Sequence, residues 1–253
     1  MRILVCIKRV PAPGAKINLT GDAQAIDPTN LGFTISPHEE CAVEEAVQQA
    51  EQHDGSVTVL TLGPAAAEEQ LRSALAVGAD AAFLMPTDGS AWDPMATARA
   101  LTAGIGELET DGPFDLIFFG NESADSGGYQ VGIRVARALG RPMVNGIKGV
   151  AVSNGVVTAR RETATSNEVF ELPLPAVLGI KEGINLPRYP TLKGRMAAKK
   201  KEVVSSIPEH RPGGPELIRL LTPPQQTTTT VILGTGPEAA PALVDVLEEA
   251  GIL

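Results

Sequence analysis

Apolar runs and helical periods alternate through the first 145 residues of the chain. The segment "RILVCIKRV" (2–10) has the unbroken apolar character of a buried strand, and "SVTVLTL" (56–62), "AAFLM" (81–85) and "FDLIFF" (114–119) share it. Between these runs the spacing changes. Residues 37–52 carry Ala42, Val43, Ala46, Val47 and Ala50 at i, i+3, i+4 intervals, 65–77 and 94–109 repeat the pattern, and 129–139 forms a fourth helix. Strands alternating with helices of this length predict an α/β fold, a doubly wound and mostly parallel sheet covered on both faces.

From about residue 147 the texture changes. "IKGVAVSNGVVTARRE" reads as two strands around an Asn154-Gly155 turn, the strongest short hairpin signal, and "EVFELPLPAVLGI" adds a further strand or two. After 183 the α/β rhythm stops. A basic loop, a short helix, Pro-rich connectors and "QQTTTT" lead to a last helix near 238–250. The pattern therefore predicts an α/β domain over 1–183 with a β-hairpin addition. Residues 184–253 form an extended C-terminal arm with too little apolar periodicity for a core of its own.

Composition narrows the function. Residues are 43% hydrophobic but only 4% aromatic, so small aliphatic side chains must build the core, as in closely packed helix-sheet layers. A formal net charge of -9 argues against general nucleic-acid binding, which depends on neutralising phosphates. No apolar run approaches the roughly 18 to 20 residues of a membrane span, and "ILVCI" is followed at once by Lys8 and Arg9 rather than by a secretion signal. Cys6 and Cys41 have no metal-like or redox spacing and read as buried thiols. A cytoplasmic protein is expected.

Against that acidic background one segment stands out. Residues 181–201 contain Lys181, Arg188, Lys193, Arg195, Lys199, Lys200 and Lys201 against the single acid Glu182. Two helix starts also stand out. In "SPHEE", Ser36 is an N-cap, Pro37 opens the helix and Glu39 completes a capping box. In "FFGNESADSGGYQVG" (118–132) a strand ends in Gly120, and an acidic loop runs to Gly127-Gly128 before a helix. Ligands of open α/β sheets settle outside the carboxyl ends of the strands, where helix N–H groups hold phosphate. Asp125, Ser126, Gly127, Gly128, Tyr129, Gln130 and Gly132 are thus a candidate phosphate cradle, although an ordinary Gly-rich turn has the same spacing. His38, His53 and His210 sit in separate segments, without a nucleophile or a metal-ligand pattern nearby. No catalytic residue is expected.

Several of these blocks fall in a known order. "LVCIKRVP", "SPHEECAVEEA", "TLGP…LRSALAVGAD", "GNESAD…QVG…LGRP", "RRE", "LPAV" and "INLPRYPTLKGRMAAKKKEV" together resemble the β subunit of electron transfer flavoproteins. The resemblance implies an adenine nucleotide α-hydrolase-like domain that pairs with an α subunit carrying FAD. It implies electron transfer from flavin dehydrogenases such as acyl-CoA dehydrogenases to a quinone oxidoreductase or another acceptor. Carried over by position, a bound AMP would be lined by Cys6, by Ser36, Pro37, His38 and Glu39, by Leu62 and Gly63, and by Asp125 through Val131 to Gly132. Leu192 would insert into a partner dehydrogenase, with Arg188, Tyr189, Lys193, Arg195, Met196, Lys199 and Lys200 around it. Thr191 would cap the short helix. Glu162 in "RRE" would hold an arginine of the α subunit.

Two departures bear on this. AMP-binding members carry a polar Asn-Gln-Thr-Gly-Gln run where this chain has Tyr129-Gln130-Val131-Gly132-Ile133. The "QVG" form resembles the branch in which a second FAD occupies the site and electrons bifurcate. Gln226 stands where an arginine is common and bears on docking of the tail. A stand-alone adenine-nucleotide module of the stress-protein kind would explain the sheet and cleft but not residues 184–253.

Overall fold

Each apolar run lies in one sheet. The computed structural model describes residues 1–224 and 230–253, so Gln226 falls outside it. Strands β1 (Arg2–Ile7), β4 (Ser56–Pro64), β5 (Ala81–Thr87), β6 (Leu116–Gly120), β7 (Met143–Ser153), β8 (Val156–Glu162), β9 (Asn167–Pro173), β10 (Ala176–Ile180) and β11 (Val203–Ser205) form nine strands in the order β11-β5-β4-β1-β6-β10-β7-β8-β9. All pairings from β11 to β7 are parallel, and β8 and β9 continue antiparallel. A separate ribbon joins β2 (Val10–Pro11) to β3 (Phe33–Thr34). The fold is α/β, as the alternation predicts.

Side chains along β1 show why both faces need cover. Ile3, Val5 and Ile7 enter one core, packed by helices α1 (Pro37–Gln52) and α2 (Glu68–Val77). Leu4 and Cys6 enter the other, packed by α3 (Pro94–Leu108) and α4 (Val131–Leu139). This is the two-residue period of a strand buried on both sides. The chain winds outward from β1 through β4 to β5, then returns through α3 to lay β6 on the other side of β1. In open α/β sheets such a reversal is where ligands settle, here outside the carboxyl ends of β1 and β6.

The later chain departs from simple reading in two places. "EVFELPLPAVLGI" divides at its prolines into strands with opposite environments. β9 alternates exposed and half-buried residues at the sheet edge, whereas all five residues of β10 are buried between β6 and β7. The turn before β8 has Asn154 at φ 51° and Gly155 at φ 75°, both left-handed, as a two-residue hairpin of primed type requires. Further on, β11 pairs with β5, and α5 (Leu192–Lys200) packs on α2. The first compact unit therefore runs Met1–Leu220, beyond the boundary expected at 183. The second, Leu221–Leu253, carries α6 (Ala240–Glu249), which has no buried residue and leaves Leu243, Val244 and Val246 exposed.

Candidate nucleotide mouth and docking helix

Three segments meet where β1 and β6 end. Ser36 caps α1, Pro37 opens it, and the Glu39 carboxylate accepts the Ser36 N–H at 3.2 Å, the return arm of the capping box. The same oxygen accepts the Lys8 N–H (3.1 Å), so Glu39 ties the exit of β1 to the start of α1. Gly120 allows this approach: a Cβ there would lie 2.7 Å from Glu39 Cγ. Burial pushes the Glu39 carboxyl up to about 8, against the two N–H bonds that favour its ionised form. Lys8 Nζ reaches Asp125 Oδ2 at 2.6 Å. Burial of Asp125 works to raise its pKa, but the Lys8 charge and hydrogen bonds from Lys8, Ser123 and Ser126 hold it below the ordinary value.

The loop from 121 to 130 is built around Glu122. Its carbonyl accepts the Ser36 hydroxyl (3.3 Å), and its carboxylate faces His38 Nε2 (3.4 Å) and pushes the Tyr129 phenol's pKa up. Gly127 lies at φ 52° and Tyr129 at φ 54°. The left-handed region is unusual for a bulky residue, and such strain concentrates at ligand-binding loops. Among the described residues no hydrogen bond partner is found for the N–H groups of Gly128, Tyr129, Gln130, Val131, Gly132 or Ile133. This row of free donors at the start of α4 fits an anion, and a Cβ at Gly128 would meet only open space. Gly132 has a different reason for being glycine. A Cβ there would sit 2.9 Å from Met143 Cε and 3.1 Å from Phe119 Cγ, so its absence lets α4 settle on the sheet.

Other candidates divide by position. Leu62 and Gly63 follow Thr61, which pairs with Ile7, so they stand half-buried at the same sheet edge. Cys6 is buried in the α3–α4 core beneath the mouth, and burial, with the nearby Glu39 charge, pushes its thiol far up. It is an inert core thiol in this setting.

The basic segment forms a second surface. Thr191 caps α5, its hydroxyl accepting the Gly194 N–H at 3.0 Å. Gly194 and Ala198, four residues apart, face α2: Ala198 is buried, and a Cβ on Gly194 would overlap the Ala76 carbonyl. Arg72 Nη1 donates to the carbonyls of Ala198 (2.7 Å) and Lys201 (3.3 Å), and Lys201 Nζ donates to Ala79 O (2.7 Å), fastening the helix end. The opposite face is left to solvent. Leu192 is 76% and Met196 57% exposed, and they border a shallow concavity with Lys193, Ala197 and Lys200. Tyr189, Arg195 and Lys199 are exposed beside them.

Comparison with known proteins decides the family. A model of the electron transfer flavoprotein domain matches residues 25–208. The chain belongs to the electron transfer flavoprotein family. It is similar to proteins named electron transfer flavoprotein subunit beta from Mycobacterium bovis (40% identical over 207 residues, 79% of this chain and 77% of that one), Syntrophomonas wolfei (39% over 207, 81% and 79%) and Bacillus subtilis (33% over 201, 79% and 77%). Its role is accordingly electron transfer, with the β subunits of the electron transfer flavoproteins as its relatives.

Within this member of the electron transfer flavoprotein family, not every expected docking residue is free. Arg188 is held by its own chain: Nε and Nη2 contact Glu44 at 2.9–3.1 Å, and Nη1 and Nη2 contact Glu51 at 2.7 and 3.1 Å. These bonds raise the Arg188 pKa, and they overcome burial to lower that of Glu44. Glu44 and Glu51 lie 144 and 137 residues from Arg188, so local spacing does not pair them with it. The seven-residue spacing between them, two helical turns on one face, was the available signal. Glu162 ends β8 with Lys148 Nζ at 3.2 Å. Removing Arg188 would leave the Glu44 carboxylate, with a side chain 4% exposed, without its charge partner. Arg188→Ala is expected to cost about 2 kcal/mol in urea unfolding, less than a fully buried pair because Arg188 is partly solvated. Arg188→Lys is expected to recover under half, since one ammonium does not reproduce the fork.

Proposed function

We propose that this chain is the β subunit of an electron transfer flavoprotein. It pairs with an α subunit that carries FAD, accepts electrons from a flavin dehydrogenase such as an acyl-CoA dehydrogenase, and passes them to a quinone oxidoreductase or another acceptor. It holds AMP at the β1–β6 mouth and presents Leu192 to the dehydrogenase. The observation that carries this reading is the row of N–H groups from 128 to 133, without a partner among the described residues, at the sheet's reversal point. Membership of the family supports it independently.

The fit to an adenosine phosphate rests on main-chain donors rather than on side-chain cations. The phosphate would face the 128–133 amides and the α4 start, with Lys8 offsetting Asp125 and with Glu39 held largely neutral below pH 8. Leu62 and Gly63 would border the nucleoside. The flavin supplies the electron-carrying chemistry when bound, and the protein supplies binding, orientation and docking. Among the described residues no group of three or more His, Cys, Asp or Glu side chains is placed to hold a metal, and no helix is long and apolar enough to cross a membrane. A cytoplasmic setting follows from the proposed role.

The test is co-expression with an FAD-carrying α subunit, followed by mass spectrometry of what the denatured complex releases. A yellow 1:1 complex yielding one FAD and one AMP is expected. Two FAD and no AMP would replace AMP by a second flavin in the mouth, the reading favoured by the apolar Val131 at the α4 start. A colourless chain that ignores the α subunit and exchanges ATP would establish the stand-alone nucleotide module instead.

A further inference from the structure

Residues that follow β10 are attached to α1 at a constant offset. The Glu182 N–H donates to His38 Nδ1 (2.7 Å), Asn185 Nδ2 donates to the Cys41 carbonyl (3.1 Å), and the Arg188 N–H donates to Glu44 (3.1 Å), each pair 144 residues apart. Every three residues of segment meet the next three of helix. Three helical residues advance about 4.5 Å, whereas three extended residues would span about 10 Å. The segment keeps pace because it is coiled, with a turn at 182–183 and Gly183 at φ 87°. Asn185 and Arg188 reinforce the register through Glu45 (3.2 Å) and Glu51 (2.7 Å). The segment then enters Tyr189, Thr191 and α5, the docking surface.

The first rung is shared. His38 accepts at Nδ1, which fixes its proton on Nε2, and Nε2 faces the Glu122 carboxylate at 3.4 Å. Glu122 belongs to the loop that leads to the 128–133 N–H groups: its carbonyl accepts the Ser36 hydroxyl, and its Oε2 would lie 3.7 Å from a Cβ on Gly127. We infer that His38 is a positioning residue that couples the nucleotide loop to the docking segment, so that filling the mouth steadies residues 182–188 and, through them, the approach to α5. The inference rests on the nucleotide reading above, and its test separates the two.

Amide hydrogen exchange by mass spectrometry, on the full chain in the assembly in which it purifies, reads the coupling without reference to activity. Protein depleted of nucleotide is compared with protein reloaded with AMP, or with FAD if FAD is what it releases. In the wild type, exchange over 182–188 is expected to slow by roughly three- to tenfold on loading, the worth of about one hydrogen bond. Two variants divide the histidine's roles. His38→Asn keeps an acceptor where Nδ1 sits but withdraws from Glu122: protection of 182–188 is retained and its response to loading is lost. His38→Gln reaches toward Glu122 but lacks the Nδ1 acceptor: protection falls in both states. With the true partner dehydrogenase, His38→Gln is expected to raise KM more than it lowers kcat. If loading slows the 121–132 loop but leaves 182–188 unchanged, the coupling is wrong. If the loop does not respond to loading, the nucleotide reading fails instead. The tie is then judged by Glu122→Gln without nucleotide: faster exchange at 182–188 upholds it, and no change overturns it.

Discussion

Leu192→Ala is expected to raise the KM of the proposed partner dehydrogenase for this protein about 10- to 100-fold while leaving kcat, melting temperature and any bound nucleotide alone. The magnitude follows from burying one leucine side chain, roughly 1.5–3 kcal/mol. The selectivity follows from the two faces of α5. Gly194 and Ala198 hold the helix to α2, and Arg72 and Lys201 fasten its end, none of which involves Leu192. Leu192 is 76% exposed and stands at the first helical position, so alanine there removes no internal contact of consequence and suits the helix equally well. An apolar anchor ringed by Lys193, Arg195, Lys199 and Lys200 suits a carrier that must also leave: the cations speed encounter, and the small buried area permits release. Steady-state reduction by the dehydrogenase at varied flavoprotein concentration measures the effect, with Leu192→Met as the control that restores most of it. Equal KM values for wild type and Leu192→Ala would remove the anchor role from this residue.

How much of this was legible beforehand depends on the range over which each residue acts. The strands of the first 145 residues, the four helices between them, the Ser36–Glu39 cap and the Asn154-Gly155 hairpin are set by neighbours within a few positions, and local spacing displays them. Placing β10 in the middle of the sheet while β9 lies at its edge is a long-range choice. Only the uniform burial of "AVLGI" against the alternation of "NEVFELP" hinted at it. β11 was missed because three residues are too few for a period, and its partner β5 lies over 100 positions earlier. In the site, the glycines of the loop were visible but their separate reasons were not. Gly127 serves backbone conformation, whereas Gly132 serves packing on Phe119 and Met143, residues brought to it by the fold. Cys6 aligned with the mouth by position, yet the strand's two-residue alternation turns its side chain into the core. Arg188 illustrates the remaining gap. Counted as one of seven cations it looked free, and only the coiling of 182–188 along α1 reveals that two carboxylates hold it.

Glu39 makes the second large prediction, a loss of stability as pH rises from 5 to 8 that Glu39→Gln largely removes, leaving the smaller same-sense contribution of Glu40, whose carboxyl burial also raises. The folded carboxyl titrates near 8, against an ordinary value of 4.5 for the unfolded chain. Between those values the native state keeps a proton that the unfolded state has released, so stability falls with increasing pH, by at most about 1.4 kcal/mol per unit. The contribution is complete below pH 4.5 and gone above 8. Carboxylates held below their usual range, such as Glu44 and Asp125, act in the opposite sense and at lower pH, so they do not mask this window. Glutamine retains an oxygen to accept the Lys8 and Ser36 N–H groups, but it has no charge to bury. Urea midpoints at pH 5, 6.5 and 8 are therefore expected to coincide for the two proteins at the low end and to diverge above it, with Glu39→Gln the more stable at pH 8. A neutral Glu39 also removes one negative charge from beside the loop proposed to face phosphate. Nucleotide affinity in the wild type is accordingly expected to weaken above pH 8 and to stay level in the variant, once the phosphate's own titration near pH 6 is complete. Parallel midpoints for both proteins across the range would mean that Glu39 is ionised in the folded state, and that Lys8 and the two amides outweigh its burial.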